Sequence, residues 1–161
     1  MREKLYDTAK PVKRAHGGVR APHKKFTAEK DSVRMPPPEK VCISMQQHIG
    51  APCIPTVKKG DAVFVGTVVG NSDKFVSAPV HSSVSGTVEG MTRIQLPSGQ
   101  KADAVVIKSD GLMTPDPELK PHPVKTVDDL IKAARDSGLV GLGGAGFPTY
   151  IKLTPNKDKP I

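Results

Sequence analysis

The chain has 161 residues, of which 37% are apolar and 25% charged, enough for one compact domain with a piece of a second and too few for a large multi-domain enzyme. Fifteen glycines, sixteen prolines, 4% aromatic residues and no tryptophan leave Val, Ile, Leu and Ala to build a core between many turns, which favours short strands over a helical bundle. The net charge of +8 is concentrated at one end: residues 1–40 hold 11 Lys/Arg against 5 Asp/Glu, and residues 41–161 hold 13 against 11.

In chain order, residues 1–40 form a basic arm that ends at Pro36-Pro37-Pro38, a stretch suited to extended polyproline geometry. Tyr6 and Phe26 are its only aromatic residues, too few for the stacking platforms of single-strand binders. The expected partner is therefore an anionic membrane rim or an acidic protein surface, and not nucleic acid. Residues 41–110 read as a β-rich domain, with β-branched runs at 41–44, 62–69, 76–80, 84–88 and 104–108. Val65-Gly66-Thr67-Val68-Val69-Gly70 recurs as Ser85-Gly86-Thr87-Val88-Glu89-Gly90, and two such units packed face to face would form a small barrel or sandwich about a quasi-twofold axis. Residues 111–125, broken by Gly111, Pro115, Pro117, Pro121 and Pro123, read as a linker. A helix is predicted over about 127–137, because Thr126 and Asp129 form a capping box, Val127, Leu130, Ile131 and Ala134 share one face, and Gly138 stands at the C-cap.

The segment with most chemical content follows that helix. Gly141-Leu142-Gly143-Gly144-Ala145-Gly146-Phe147-Pro148-Thr149 lets the backbone approach a ligand closely and offers amides to phosphate oxygens. It satisfies G-x-G-x-x-G formally, but a helix precedes it where a dinucleotide fingerprint needs a strand, which excludes an ordinary Rossmann site. A plain turn is the competing reading. Lys152 lies close enough in sequence to neutralise a phosphate, and Phe147 offers a face to a ring system.

Elsewhere the chemistry is sparse. Cys42 and Cys53 have ten residues between them and no C-x-x-C pair, so no zinc or iron-sulfur run is expected here. His48 and His81 suit packing or capping roles. No secretory segment and no apolar run of about 20 residues is present, which points to a cytoplasmic chain with reduced thiols. Lys74, in a turn before Ala78-Pro79, resembles the prosthetic-group lysine of lipoyl and biotinyl carriers, but the stretch from Gly60 is about two residues short and Phe75 replaces the usual small residue, so Lys74 reads as an unmodified surface lysine.

Taken in order, Gly17-Gly18-Val19, Gln47-His48-Ile49-Gly50-Ala51-Pro52, Lys59-Gly60-Asp61, Phe75-Val76-Ser77-Ala78-Pro79-Val80-His81, Ser85-Gly86-Thr87-Val88 and the segment from Val140 to Thr149 resemble the N-terminal part of the RnfC family, components of the Rnf electron-transport complex. The resemblance implies a barrel-sandwich hybrid over 41–110, related to lipoyl and biotinyl carriers, followed at 126–161 by the truncated start of an α/β flavin- and NADH-binding domain. It implies electron exchange between NADH and ferredoxin coupled to ion transport, in a cytoplasmic component peripheral to the membrane, with the basic arm contacting other subunits or the membrane rim. The glycine loop is similar to that of the NADH-binding flavoprotein of complex I, which implies FMN and NADH as cofactors, Gly141, Gly143, Gly144, Gly146 and Phe147 as loop contacts, and Lys152 as the partner of the FMN phosphate. Leu142 stands where the complex I loop commonly has arginine. Family members continue into the rest of the flavin domain and two cysteine-rich 4Fe-4S motifs, so the chain reads as a fragment expected to be inactive by itself. The alternatives are a non-catalytic carrier or interaction module, or a paralogue feeding electrons to a soluble reductase.

Overall fold

The structure, a computed structural model, describes residues 25–154; Tyr6, the Gly17-Gly18-Val19 motif and most of the basic arm lie outside the described residues. The chain divides into two compact units, Met1–Arg34 and Met35–Ile161. In the first, residues 25–30 form a turn held by the Ala28 and Lys30 amides.

In the second unit, seven strands form two antiparallel sheets among the described residues. Strands β1 (Lys40–Ser44), β3 (Ala62–Val63), β6 (Gly86–Gln95) and β7 (Lys101–Ser109) make a four-stranded sheet in the order β1-β7-β6-β3. Strands β2 (Ile54–Pro55), β4 (Val68–Asn71) and β5 (Val80–His81) make a three-stranded sheet in the order β2-β4-β5. Inward residues alternate along the strands: Ile43 pairs with Val105 and Val88 with Ile107, and these four are buried together with Met45, Val63, Val69 and Val84. Each such side chain, fully removed from water, contributes roughly 1.5–3 kcal/mol. Aliphatic residues therefore suffice for a core without tryptophan.

The expected strand over 62–69 is two strands in two different sheets. A turn at 64–67 separates them, closed by the Thr67 amide on the Phe64 carbonyl and by the Phe64 amide on Thr67 Oγ1. The run 76–80 is strand only at its end, because Pro79 cannot donate and Ala78 donates to a histidine instead of to a ladder. The β6–β7 hairpin is longer than the apolar runs suggest, since its outer half exposes Met91, Thr92 and Arg93. The two repeat copies fall in different sheets, and each carries a β-bulge at the same position, between Val68 and Gly70 and between Val88 and Gly90. An extra residue there sharpens the twist, which helps two small sheets curl over one core.

The proline-rich stretch after β7 runs along the barrel. Val65 bridges Pro115 in parallel, Thr67 Oγ1 donates to Asp116 at 2.5 Å, and Ser85 Oγ donates to Asp110 at 2.7 Å. These bonds hold both carboxyl groups below the usual range: the Ser85 hydroxyl and Leu112 amide for Asp110, the Thr67 hydroxyl and Glu118 amide for Asp116. Two helices follow, α1 (Val127–Asp136) and α2 (Thr149–Leu153). The capping box of Thr126 and Asp129 is formed. Of the predicted apolar face, Ala134 is buried while Val127 and Leu130 remain 60% and 46% exposed. Beyond β7 the described residues add no strand ladder, so residues 126–154 by themselves build a helical pair and a loop, and not the parallel sheet of an α/β domain.

Candidate functional site

The glycine loop is held at its base. The Gly141 amide donates to the Phe147 carbonyl at 3.0 Å, Val140 and Pro148 form an antiparallel bridge, and the Thr149 amide donates to the Leu139 carbonyl at 2.9 Å. The loop thus closes as a narrow neck whose tip, residues 142–145, is exposed; Leu142 is 95% exposed. A Cβ added at Gly143 or Gly144 would meet nothing within 4 Å, so a ligand can approach the tip backbone closely.

Lys152 comes back to this neck from α2. Its ammonium lies 5.8 Å from the Phe147 ring centroid, and only 3.3 Å from where a Cβ of residue 141 would stand. Glycine at 141 therefore leaves room for the lysine head beside the loop. Gly141, Phe147 and Lys152 form one corner. Gly141, Gly144 and Gly146 also line a cleft of about 590 Å³ whose opposite wall is residues 46–49 and the β6–β7 turn. Gly143 sits at the tip and touches neither. Five of the six sequence candidates thus share one loop, Lys152 reaches it from α2, and the loop presents two faces.

The residues that the sequence did not single out are those that seat this loop. Tyr150 is buried, and its hydroxyl donates to the Phe75 carbonyl. Its ring meets Phe75 edge-on at 6.2 Å and lies under the Arg135 guanidinium at 6.0 Å, while Arg135 donates to the Ser72 carbonyl at 3.2 Å. The turn that carries exposed Lys74 is therefore the platform on which both helices rest, and Phe75 serves this packing. The oddity of Phe75 beside Lys74 was the available signal.

His48 is buried, and its ring ties residues 46–53 to the 76–78 segment. Nε2 lies 3.1 Å from the Ala78 amide and 3.0 Å from the Ala78 carbonyl, and Nδ1 lies 3.1 Å from the Ile49 carbonyl, so the ring is bonded at both nitrogens. Cys53 Sγ donates to the Ala78 carbonyl at 3.1 Å, and burial pushes its thiol above the ordinary range. His81 faces a separate cleft of about 670 Å³ beside His122 and Asp136, and burial lowers its titration from the ordinary imidazole value. Among the described residues no group of three or more His, Cys, Asp and Glu is placed to hold a metal, and no helix is long and apolar enough to cross a membrane.

Residues 13–112 match the family described as the RnfC barrel sandwich hybrid domain. The chain belongs to the RnfC family. It is 47% identical over 149 residues to the RnfC component of the Na(+)-translocating ferredoxin:NAD(+) oxidoreductase complex of Acetobacterium woodii, covering 90% of this chain and 34% of that protein. It is 39% identical over 154 residues to the corresponding component of the proton-translocating complex of Clostridium ljungdahlii, covering 93% and 34%. With its counterpart in the ion-translocating oxidoreductase complex of Pseudomonas aeruginosa it shares 38% over 130 residues, 76% of this chain and 16% of that protein. The chain spans about a third or less of the length of these relatives, and corresponds to their N-terminal RnfC region. The two sheets are the barrel-sandwich hybrid that the sequence led us to expect.

Proposed function

We propose that this chain is the barrel and the beginning of the nucleotide site in a protein that carries electrons between NADH and ferredoxin within an ion-translocating membrane complex. The names of the relatives support the setting: they are components of ferredoxin:NAD(+) oxidoreductase complexes. The other subunits of that complex would be its partners, with ferredoxin reached through the complex, and the protein would sit on the cytoplasmic side, peripheral to the membrane. Residues 126–161 would contribute the first part of a flavin domain completed by further chain.

The observation that carries the reading is the corner of Gly141, Phe147 and Lys152. A cation held 3.3 Å from an absent side chain, beside an approachable glycine backbone, fits a phosphate monoester such as that of FMN. Gly143, Gly144 and Gly146 supply close backbone approach, and Phe147 an aromatic face. FMN supplies the hydride and one-electron chemistry when bound, and the protein's own part is to hold the phosphate and orient the ring.

In the intact complex, Lys152→Ala is expected to lower FMN retention about tenfold or more, in line with the roughly 1.5–3 kcal/mol of a hydrogen bond to a charged group. FMN content and NADH-driven turnover that match the unsubstituted complex would refute the assignment.

A further inference from the structure

The barrel and the glycine loop share a direct backbone contact. The Ile49 amide donates to the Gly146 carbonyl at 3.3 Å. Gly146 has φ of +67°, and a Cβ there would lie 3.1 Å from the Gln47 carbonyl and 3.2 Å from His48 Cα. Only glycine both takes that backbone conformation readily and lets two backbones come so near. The barrel side of this contact is itself fixed. His48 is buried and bonded at both ring nitrogens, and the Ala51 amide donates to the Val76 carbonyl at 3.0 Å.

We propose that residues 46–51 of the barrel are a template that sets the conformation of the glycine loop, with Ile49 and His48 as positioning residues for the nucleotide site. This rests on the reading of that loop given above. The barrel is then more than a neighbouring domain: its Ile49 amide fixes the Gly146 end of the loop, while the Gly141–Phe147 bond closes the neck. The cleft of about 590 Å³ between them is walled on the barrel side by residues 46–49 and by Leu96, Pro97, Ser98 and Gln100, none of them acidic. That wall neither repels an anionic ligand nor competes with Lys152 for its phosphate.

The test uses Ile49→Pro, which removes the donor, and Ile49→Val, which keeps it. In the full chain, hydrogen exchange of the Gly141 and Thr149 amides that close the neck is expected to quicken at least tenfold in Ile49→Pro, and to stay within twofold of the parent in Ile49→Val, while Val88, Val105 and Ile107 stay protected in both. In the intact complex, Ile49→Pro is expected to speed FMN release at least tenfold with Ile49→Val unchanged, an effect that lost barrel stability alone would not produce at temperatures where both are folded. Should Ile49→Pro fail to fold, Gly146→Ala strains the same contact from the loop side and is expected to quicken exchange in the same residues. Unchanged loop exchange in these variants, or quickened exchange with unaltered FMN release in a complex whose flavin does depend on Lys152, overturns the proposal. Quickened exchange in a complex where Lys152→Ala leaves FMN in place supports the template and instead refutes the nucleotide reading.

Discussion

Replacing Gly138 by Ala tests whether the helices are seated on the barrel as described. Gly138 is the residue after the C-cap of α1, with φ of +66°. Its amide donates to the Arg135 carbonyl at 2.9 Å and the next amide, of Leu139, to the Ala134 carbonyl at 3.2 Å, the paired bonds of a Schellman ending. A methyl group there would stand 2.5 Å from the Pro79 carbonyl oxygen and 3.2 Å from His81 Nδ1. The obstacle is backbone of the barrel, so it cannot swing aside. Left-handed conformation costs alanine about 1–2 kcal/mol, and the enforced shift adds about 1–3 kcal/mol as overpacking does elsewhere. Gly111 isolates the first cost, because its φ is +75° and nothing lies within 4 Å of an added Cβ. At about 2–4 °C per kcal/mol for a chain of this size, Gly138→Ala should lower the melting temperature roughly twice as far as Gly111→Ala in paired calorimetric scans. Equal shifts for the two variants would mean that α1 does not abut Pro79, and the seating of the glycine loop would lose its foundation.

Three further outcomes are expected. Asp110 and Asp116 titrate below their ordinary value because Ser85 and Thr67 hydroxyls bond their ionised forms, so their stabilising contribution is complete above the unfolded carboxylate range and is lost as pH falls through the lowered folded values. Acid should therefore release residues 110–119 before the core, and Asp116→Asn should produce that release near neutral pH, read as faster amide exchange of the Val65 and Asp116 amides; a segment still fully protected in Asp116→Asn would refute it. Cys42 is exposed while Cys53 is buried with its thiol pushed upward, so iodoacetamide should label Cys42 alone in the folded chain by peptide mass mapping, and labelling of Cys53 at a similar rate would show the His48–Ala78 region to be open.

The sequence disclosed the elements whose signals are local. The Thr126–Asp129 box and Gly138 bracket α1 to within a residue, because capping depends on groups three or four positions apart. The barrel was legible through β-branched runs and the repeat at 65–70 and 85–90, since each run must bury one face. What was not legible depends on distant partners. The run 62–69 looks continuous, yet Thr67 bonds back to Phe64 and out to Asp116, 49 positions away, and the chain changes sheets there. At the site, the glycine loop announces itself by composition, whereas Arg135, Tyr150 and Ile49 act through contacts with residues 63, 75 and 97 positions distant. A backbone donor such as that of Ile49 has no side-chain signature at all.

This division bears on how a site can be built from a loop of glycines. Ordering such a segment costs about 1–2 kcal/mol per residue, and phosphate bonds formed with a floppy loop would largely be spent on that ordering. Here the cost falls unevenly. The neck is set by the Gly141, Thr149 and Ile49 amides, leaving only the exposed tip at 142–145 to be ordered by a ligand. The Ile49 amide belongs to a loop that His48 fastens to Ala78, and α2 is fastened to the same region through Tyr150 and the Phe75 carbonyl. Both attachments converge on residues 75–78, directly after the exposed Lys74. Occupied by helix packing and by the His48 bond, that segment serves as an anchor for the glycine loop, and Phe75 beside Lys74 follows from that use.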